Sequence, residues 1–374
     1  MLAGHSTQEA TAGFAGRAVA EMGAQAGHFR EFEGLRLSSL GLGTYLGEAD
    51  SATDRLVEEA AIASVSSGAV NVIDTAINYR LQRAERSVGR AVAALVAEGD
   101  VEREGLFVCT KNGYLTSDGE LTTDFWAYVH SELIRPGKLK ADEIAGDAHS
   151  MAVPFLRDQL QRSLKNLGMG CVDLLYLHNA AESWAGELGY RRFLDRLWDV
   201  FTLYEEERKK GRLQYYGLAT WTCFRVPRGE PECVNLDDVV EVAKSVGGEG
   251  HGLKFIQLPF NVAMSEALTL KNQRIADEPL TTFEAAGRLG LRAFTSATLS
   301  QARLLNHTRV PDLEGSKALS LIQFSRSAHP TVLAALVGQK DPAHVAENLR
   351  IAKVPPLSRE GFAERYQGLI GGKR

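Results

Sequence analysis

Eight short apolar runs recur along the chain, and a longer polar or helical segment separates each from the next. The runs are LSSLGLGT (37–44), AVNVIDTA (69–76), GLFVCTK (105–111), CVDLLYLH (171–178), LQYYGLAT (213–220), LKFIQLPF (253–260), LRAFTSA (291–297) and LAALVGQ (333–339). Most are continuously apolar rather than alternating, which is typical of strands buried on both faces. Strands that alternate with helices indicate βαβ units and a parallel sheet. Eight of them predict an α/β fold, a closed (β/α)8 TIM barrel rather than an open sheet.

Several helical segments between the runs carry clear end signals. Gly168 follows the apolar periodicity of 155–167, as expected of a residue that ends a helix in a left-handed conformation. Asp341 and Pro342 precede the helical pattern of 342–352, where aspartate predicts an N-cap and proline fits the first helical position.

Two long segments interrupt the alternation, 112–154 and 222–252. Long loops in compact domains are usually functional or disordered, and both segments would leave the barrel at the carboxyl ends of its strands, where barrel enzymes place their active sites. We therefore predict an N-terminal extension over 1–30 and a barrel over 31–374 that carries loop inserts at 112–154 and 222–252. The first insert is predicted to be a substrate lid, because it leaves directly from the third run and is rich in aromatic side chains.

Composition and charge argue against two classes of partner, nucleic acids and membrane surfaces. The 374 residues carry 42 basic and 47 acidic side chains, a net charge of −5, which argues against a nucleic-acid surface and a polybasic membrane patch. No apolar run approaches the roughly 18 residues of a transmembrane helix, and no signal-peptide pattern opens the sequence. Four scattered cysteines fit free thiols in a reducing cytosol. We expect a cytoplasmic protein without nucleic-acid or membrane partners, and these features predict no particular oligomeric state.

Four titratable side chains stand at the ends of three neighbouring runs. Asp74, Lys111 and His178 end the second, third and fourth runs, and Tyr79 follows Asp74 by five residues. Each alone is more often a solvated or structural residue. Four different titratable types at one barrel mouth, however, form the kind of group that tunes pKa values in an active site.

The motifs resemble those of the aldo-keto reductase family, in family order over roughly residues 35–356. They are LGLGTYLG, VIDTAINY followed by RAERSVGRAV, CTK, DLLYLH, GRLQYYGLATW, IQLPFN and VGQKDPAHVAENL. The resemblance implies an NAD(P)H-dependent oxidoreductase that reduces an aldehyde, a ketone or a sugar-type carbonyl to an alcohol.

The resemblance also implies that Asp74, Tyr79, Lys111 and His178 form a catalytic tetrad. A tyrosine hydroxyl can protonate the developing alkoxide, but its ordinary pKa is near 10. A neighbouring ammonium lowers that pKa toward the working pH, so we expect this role for Lys111, itself held by Asp74. His178 would donate a hydrogen bond to the carbonyl oxygen as charge builds there.

The cofactor is expected to lie extended across the barrel mouth. No GxGxxG motif follows the first run, so a Rossmann site is not indicated. Gln257 matches the family glutamine that holds the nicotinamide carboxamide. Three residues depart from the family pattern. The usual Ser-Asn pair is Ala219-Thr220 here, and the usual ring-stacking tyrosine is Ser296.

NADPH is expected rather than NADH, although NAD stays an alternative. Lys340 and His344 follow the last run where the family places basic residues for the 2′-phosphate, and His344 stands in place of the usual arginine. The predicted cofactor-binding residues, which include those for the pyrophosphate and the adenine, are Gly43, Thr44, Asp74, Thr220, Gln257, Ser296, Leu299, Gln301, Gly338, Gln339, Lys340, His344, Glu347 and Asn348.

A small carbonyl substrate is expected beside the tetrad. The predicted substrate residues are Tyr45, Arg80, Asn179 and Trp221, with further aromatics of the first insert at Tyr114, Phe125, Trp126 and Tyr128. Arg80 follows Tyr79 where the family usually has glycine. It either binds a carboxylate or hydroxyl groups in bidentate fashion or is simply solvated.

Two alternatives stay open. The first is a nicotinamide-binding regulatory protein of the same fold with weak or no catalysis, which the changes at Ser296 and Ala219-Thr220 favour slightly. The second is a metal-dependent barrel hydrolase or isomerase, which would need several histidines or carboxylates converging at strand ends. Only Asp74 and His178 do so, beside a lysine, so no metal site is predicted.

Overall fold

The computed structural model describes residues 1–370, so the last four residues of the predicted barrel region, 371–374, lie outside the described part. The strands described are β1 (Phe29–Phe32), β2 (Leu35–Ser38), β3 (Leu40–Gly43), β4 (Val72–Asp74), β5 (Phe107–Asn112), β6 (Val172–His178), β7 (Leu213–Ala219), β8 (Leu253–Pro259), β9 (Gln273–Ile275), β10 (Glu278–Leu280), β11 (Arg292–Ser296) and β12 (Val332–Gly338). Strands β3 to β8, β11 and β12 are parallel and close into a barrel in the order β11-β12-β3-β4-β5-β6-β7-β8. The predicted (β/α)8 barrel is therefore confirmed.

Helices follow most of the barrel strands and cover its outside. They are α1 (Gln8–Met22), α2 (Ser51–Ser66), α3 (Arg83–Glu98), α4 (Phe125–Val129), α5 (Val153–Leu167), α6 (Ala180–Leu188), α7 (Tyr190–Lys209), α8 (Leu236–Gly247), α9 (Glu266–Thr269), α10 (Thr282–Arg288), α11 (Lys317–Ser327), α12 (Pro342–Leu349) and α13 (Arg359–Tyr366). Asp341 caps α12 through Oδ1, which accepts from the backbone nitrogens of Ala343 and His344 at 2.9 and 3.3 Å, with Pro342 as the first helical residue. None of the helices within residues 1–370 has both the length and the apolar character needed to cross a bilayer.

The strand register places the polar residues that end the strands on one side of the barrel, the mouth at the carboxyl ends of the strands. Asp74 pairs with Gly43 across β3 and β4, and His178 pairs with Ala219 across β6 and β7. The strands are buried along almost their full length, since apolar side chains fill both the barrel interior and the layer beneath the helices. Because parallel strands end on the same side, the polar residues that terminate these apolar runs converge.

The first thirty residues pack onto the barrel. The antiparallel hairpin of β1 and β2 lies against the barrel interior, where the Phe32 ring is 4.7 Å from that of Phe255. Phe14 of α1 is buried in the main hydrophobic cluster. The backbone nitrogen of Ser6 donates to Oδ1 of Asp173 on β6 at 2.6 Å. Apolar burial and a polar tie thus join this segment to the strands.

The predicted loop insert at 222–252 is wrong in its second half, because α8 occupies 236–247. Leu236, Val239, Val240 and Ala243 have the helical i, i+3, i+4, i+7 spacing and are buried. The proline- and glycine-rich sequences on either side of this helix obscured that spacing in the sequence.

The insert at 112–154 packs on the barrel rather than covering its mouth. Its apolar side chains Val129, Leu133 and Met151 are buried in the main hydrophobic cluster, and Trp126 is exposed. Within the described residues, Tyr114 alone of this segment lines the central cavity, so the predicted aromatic lid is not what the structure shows.

Phe14→Ala should lower the free energy of unfolding by about 3–5 kcal/mol, because it removes a buried ring and leaves a cavity. Val19 on the same helix is 39% exposed, so Val19→Ala is the matched control and should change stability by less than about 0.5 kcal/mol. Urea unfolding measures both. Equal small effects would show that α1 contributes nothing to the core.

Candidate active site

A cavity of about 1110 Å³ opens at the carboxyl ends of the barrel strands. Every residue of the predicted cofactor set lines it. Tyr45, Asn179 and Trp221 of the predicted substrate set line it as well, whereas Arg80 does not. Lys111 lies just below this surface, fully buried beneath Asp74. The segments after all eight barrel strands thus bring residues from distant parts of the sequence to one site.

A buried ion pair forms the floor of the cavity. Nζ of Lys111 lies 2.5 Å from Oδ2 of Asp74 and donates to the carbonyl oxygen of Thr75 at 2.8 Å. The other carboxylate oxygen, Oδ1, accepts from Nε2 of Gln257 at 2.8 Å. Burial disfavours the ammonium, but Asp74 and Tyr79 outweigh it and raise the pKa of Lys111 above its ordinary value. The lysine is therefore cationic at neutral pH.

Tyr79 lies directly above this pair, with its ring centroid 4.9 Å from Nζ of Lys111. Burial raises the pKa of Tyr79, while the ammonium of Lys111 opposes the shift without reversing it. The sequence-based expectation of a lowered pKa is therefore wrong for this state, because desolvation of the phenolate outweighs the nearby charge. At neutral pH the hydroxyl keeps its proton and can give it to a ligand.

His178 stands between two tyrosine rings at the end of β6. Its ring centroid is 6.0 Å from that of Tyr79 and 5.2 Å from that of Tyr114, both in edge contacts. Burial, with Lys111 and His149 adding to it, lowers the pKa of His178 well below its ordinary value, so the imidazole is neutral. Among the described residues Nδ1 has no hydrogen-bond partner and is buried, so Nε2 is the ring nitrogen that a ligand in the cavity can reach.

The prediction that Arg80 contacts substrate is wrong. Its Nη1 is 2.6 Å from Oδ1 of Asp54 on α2, and its side chain is 2% exposed. Arg80, Leu81 and Gln82 follow Tyr79 with φ of 49°, 58° and 71°, three consecutive left-handed residues without a glycine. Such backbone costs roughly 1–2 kcal/mol per residue. Arg80 therefore holds a strained turn next to Tyr79, and Asp54, which no sequence motif singles out, is its anchor.

The end of the cavity that is lined by residues following β11 and β12, called the far end below, suits an anionic, polar ligand. Lys340 and His344 line it, together with Arg303, which sequence reasoning missed because it follows no motif. Two buried side-chain atoms on the cavity wall, Oγ1 of Thr220 and Oδ1 of Asn348, have no hydrogen-bond partner within residues 1–370. Unsatisfied buried polar atoms are costly, so a ligand that pairs with them fits this cavity.

The loop that carries Trp221 is clamped by a carboxylate. Oε1 of Glu182 on α6 accepts from the backbone nitrogens of Trp221, Thr222 and Cys223 at 2.7, 2.7 and 3.0 Å. The sequence offered no signal for this contact, since glutamate in the first turn of a helix has a common electrostatic role there. Trp221 remains 50% exposed at the cavity rim, ready to contact a ligand.

Comparison with known proteins identifies the class. The sequence model of the Aldo/keto reductase family matches residues 39–228, just over half of the chain. The chain belongs to this family of oxidoreductases. A search of curated proteins found no match.

Solved structures of aldo-keto reductases share the fold. One from Klebsiella pneumoniae, in complex with NADP and acetate, has a TM-score of 0.61 and 18% identity over 93% of this chain and 97% of that one. The holo form of one from Bacillus halodurans has a TM-score of 0.58 and 18% identity over 92% and 98%. Another from K. pneumoniae, in complex with NADPH, has a TM-score of 0.57 and 17% identity over 91% and 94%.

Asp54→Asn should destabilise the protein by about 3–5 kcal/mol, because it leaves the buried guanidinium of Arg80 without a counter-charge. The matched control is Glu58→Gln on the same helix. Glu58 pairs with the half-exposed Arg90, so its loss should cost no more than about 1 kcal/mol. Thermal unfolding distinguishes the two variants, and equal shifts would remove Asp54 as the anchor of the turn.

Proposed function

We propose that the protein is an NADPH-dependent reductase that converts an aldehyde or ketone to an alcohol, with Tyr79 as the general acid. The observation that carries this proposal is the buried pair of Lys111 and Asp74, with Nζ 4.9 Å from the Tyr79 ring centroid. This pair lies at the floor of a cavity large enough for a dinucleotide together with a small substrate.

The four side chains divide the chemistry among them. NADPH held in the cavity would supply a hydride to the carbonyl carbon. Nε2 of His178 donates a hydrogen bond to the carbonyl oxygen, which stabilises the negative charge that builds there. Tyr79 transfers its hydroxyl proton to that oxygen, and the ammonium of Lys111 stabilises the phenolate that remains. Asp74 holds Lys111 in place and charged.

The residues at the far end of the cavity support NADPH over NADH. Lys340 and Arg303 offer positive groups, His344 lines the same end, and the N-terminus of α12 adds its backbone dipole. Asp341 turns its carboxylate to backbone nitrogens, so it faces the helix and not a phosphate. Gln257 donates to Asp74 and keeps its side-chain oxygen free to accept from a carboxamide. NADP and NADPH in the K. pneumoniae structures support the same assignment.

The substrate end of the cavity favours a neutral, hydroxyl-bearing carbonyl compound such as a sugar aldehyde. Two basic side chains near Tyr79 are already paired, Lys111 with Asp74 and Arg80 with Asp54. Tyr45 and Trp221 are half-exposed at the rim and offer aromatic faces. A substrate carboxylate would therefore find no unpaired cation at this end among the described residues.

The regulatory alternative differs from the reductase in turnover alone. Against it stands the complete tetrad geometry.

Residues 1–370 contain no group of three histidine, cysteine or acidic side chains suited to a metal ion. All four cysteines are free and buried, which supports our proposal of a reducing, cytoplasmic setting.

Tyr79→Phe should lower kcat for carbonyl reduction by at least about 10²–10⁴-fold, because the proton donor is gone, with NADPH affinity nearly unchanged. Tyr45→Phe is the matched control, since it removes the hydroxyl of a ring whose centroid is 5.0 Å from that of Tyr79 and retains the aromatic face, and it should keep most of the activity. Steady-state kinetics and fluorescence titration of NADPH measure the two effects. Substantial turnover by Tyr79→Phe would reject the assignment.

The direction in which kcat for reduction changes with pH follows from the pKa of Tyr79. The protonated hydroxyl is the active form, and burial raises the pKa of Tyr79 above its ordinary value of about 10. The kcat for reduction should therefore hold steady through neutral pH and fall only as the pH rises through that raised pKa. A decline between about pH 6 and 8 that is absent in Tyr79→Phe would contradict the raised pKa.

Lys340→Ala should weaken NADPH binding and leave NADH binding almost unchanged, because only NADPH carries the 2′-phosphate. Lys209→Ala, at the exposed end of α7, is the matched control. Titration with NADPH and with NADH measures these affinities. Equal affinities of the unmodified protein for NADPH and NADH would reject NADPH as the preferred cofactor.

A further inference from the structure

His149 is fully buried beside the end of β6, although it belongs to the insert at 112–154. Its Nε2 lies 2.7 Å from the backbone carbonyl oxygen of His178, and Nε1 of Trp184 lies 3.0 Å from its Nδ1. An indole N–H can only donate, so Nδ1 of His149 is the acceptor and its proton is on Nε2. His149 therefore donates a hydrogen bond to the main chain of His178.

This arrangement persists over the pH range in which an enzyme works. Burial lowers the pKa of His149 to about 4, with the hydrogen bond to His178 opposing the shift. The ring is neutral at pH 6–8, so the tautomer that Trp184 selects is retained.

The backbone leaves the extended strand conformation directly after His178. Asn179, the next residue, has a φ of 46°, a left-handed conformation that non-glycine residues seldom adopt. The imidazole of His178 itself makes no side-chain hydrogen bond within the described residues, and its Nδ1 is buried without a partner. Its orientation therefore depends on ring packing and on how its main chain is held.

The two ends of the insert meet at this point. Tyr114 and His149 pair in an antiparallel bridge, and their rings lie 5.0 Å apart in an edge contact. The hydroxyl of Tyr114 accepts from Nδ2 of Asn179 at 3.2 Å. A Cβ atom on Gly113 would lie 2.3 Å from Nε2 of His149, so only glycine leaves room for the imidazole. The insert thus brackets His178 and Asn179 from one side.

We propose that His149 is a positioning residue that fixes the main chain of His178 so that its imidazole faces the substrate carbonyl, and that the insert thereby completes the active site. The proposal rests on the reductase function proposed above. It assigns to the insert a role in the alignment of His178, in place of the lid that its aromatic residues suggest.

Two variants of His149 and one of Trp184 separate positioning from general stability. In His149→Gln the amide nitrogen lies near the position of Nε2 and can still donate to the carbonyl of His178. In His149→Asn the shorter amide cannot reach it. We expect His149→Asn to lower kcat by about 10–100-fold while the Kd of NADPH changes less than about twofold. His149→Gln should recover most of the lost kcat. The deuterium isotope effect on kcat should increase in the Asn variant, because hydride transfer becomes slower. Trp184→Phe, which frees the tautomer of His149 without touching His178, should give a smaller loss and is the variant to use if Asn does not fold.

Histidine nitrogen spectroscopy provides a readout that does not depend on turnover. Long-range proton–nitrogen NMR of the nine histidines should show His149 as the Nε2–H tautomer with a slowly exchanging proton. The nitrogen NMR signals of His178 should shift in His149→Asn and return to their original positions in His149→Gln. If the unmodified protein binds NADPH but reduces no carbonyl, the reductase function fails and these spectra alone decide the role of His149. The proposal would be overturned by an Nδ1–H tautomer of His149 in the unmodified protein. It would also be overturned if His149→Asn left the His178 signals or kcat unchanged, or if His149→Asn and His149→Gln lost activity equally.

Discussion

The buried ion pair between Lys111 and Asp74 is the interaction on which the rest of the site depends. A lone ammonium at this depth would be strongly disfavoured by desolvation, and removing one partner of a buried pair typically costs about 3–5 kcal/mol. The pair is stable here because the carbonyl oxygen of Thr75 and the amide of Gln257 satisfy the remaining polar atoms. Asp74 and Lys111 come from the neighbouring strands β4 and β5, whereas Gln257 comes from β8 across the barrel, so closure of the barrel is what brings Gln257 to the pair. The charge of Lys111 then acts on the ring of Tyr79.

Side-chain anchors hold the loops that surround this pair. The left-handed turn after Tyr79 is tied to α2 by Arg80 and Asp54. The loop of Trp221 is tied to α6 by Glu182. In each case a charged or hydrogen-bonding group fixes backbone that sterics alone would not keep in place. The mouth of the barrel is thereby organised before any ligand binds, as a preorganised site requires.

Much of this architecture follows from the sequence. The barrel could be predicted because its strands are continuously apolar and regularly spaced. The convergence of Asp74, Lys111 and His178 could be predicted because they interrupt that apolarity where the strands end. Their role with Tyr79 as a catalytic tetrad is implied by the family resemblance and stays a prediction. The residues that sequence reasoning missed have partners far along the chain. Asp54 is 26 residues from Arg80, and Glu182 meets backbone nitrogens about 40 residues away. A backbone donor leaves no trace in residue identity, so such contacts become visible only in three dimensions.

The measurement that tests the central claim most directly is the absorbance of NADPH mixed with the unmodified protein and a panel of neutral aldehydes, ketones and sugars in a stopped-flow instrument. The account predicts that NADPH is consumed with at least one neutral hydroxy carbonyl compound and stays constant when the carbonyl is omitted. NADPH that binds, as its fluorescence shows, but is not consumed with any member of the panel would contradict the account and indicate a regulatory nicotinamide-binding protein.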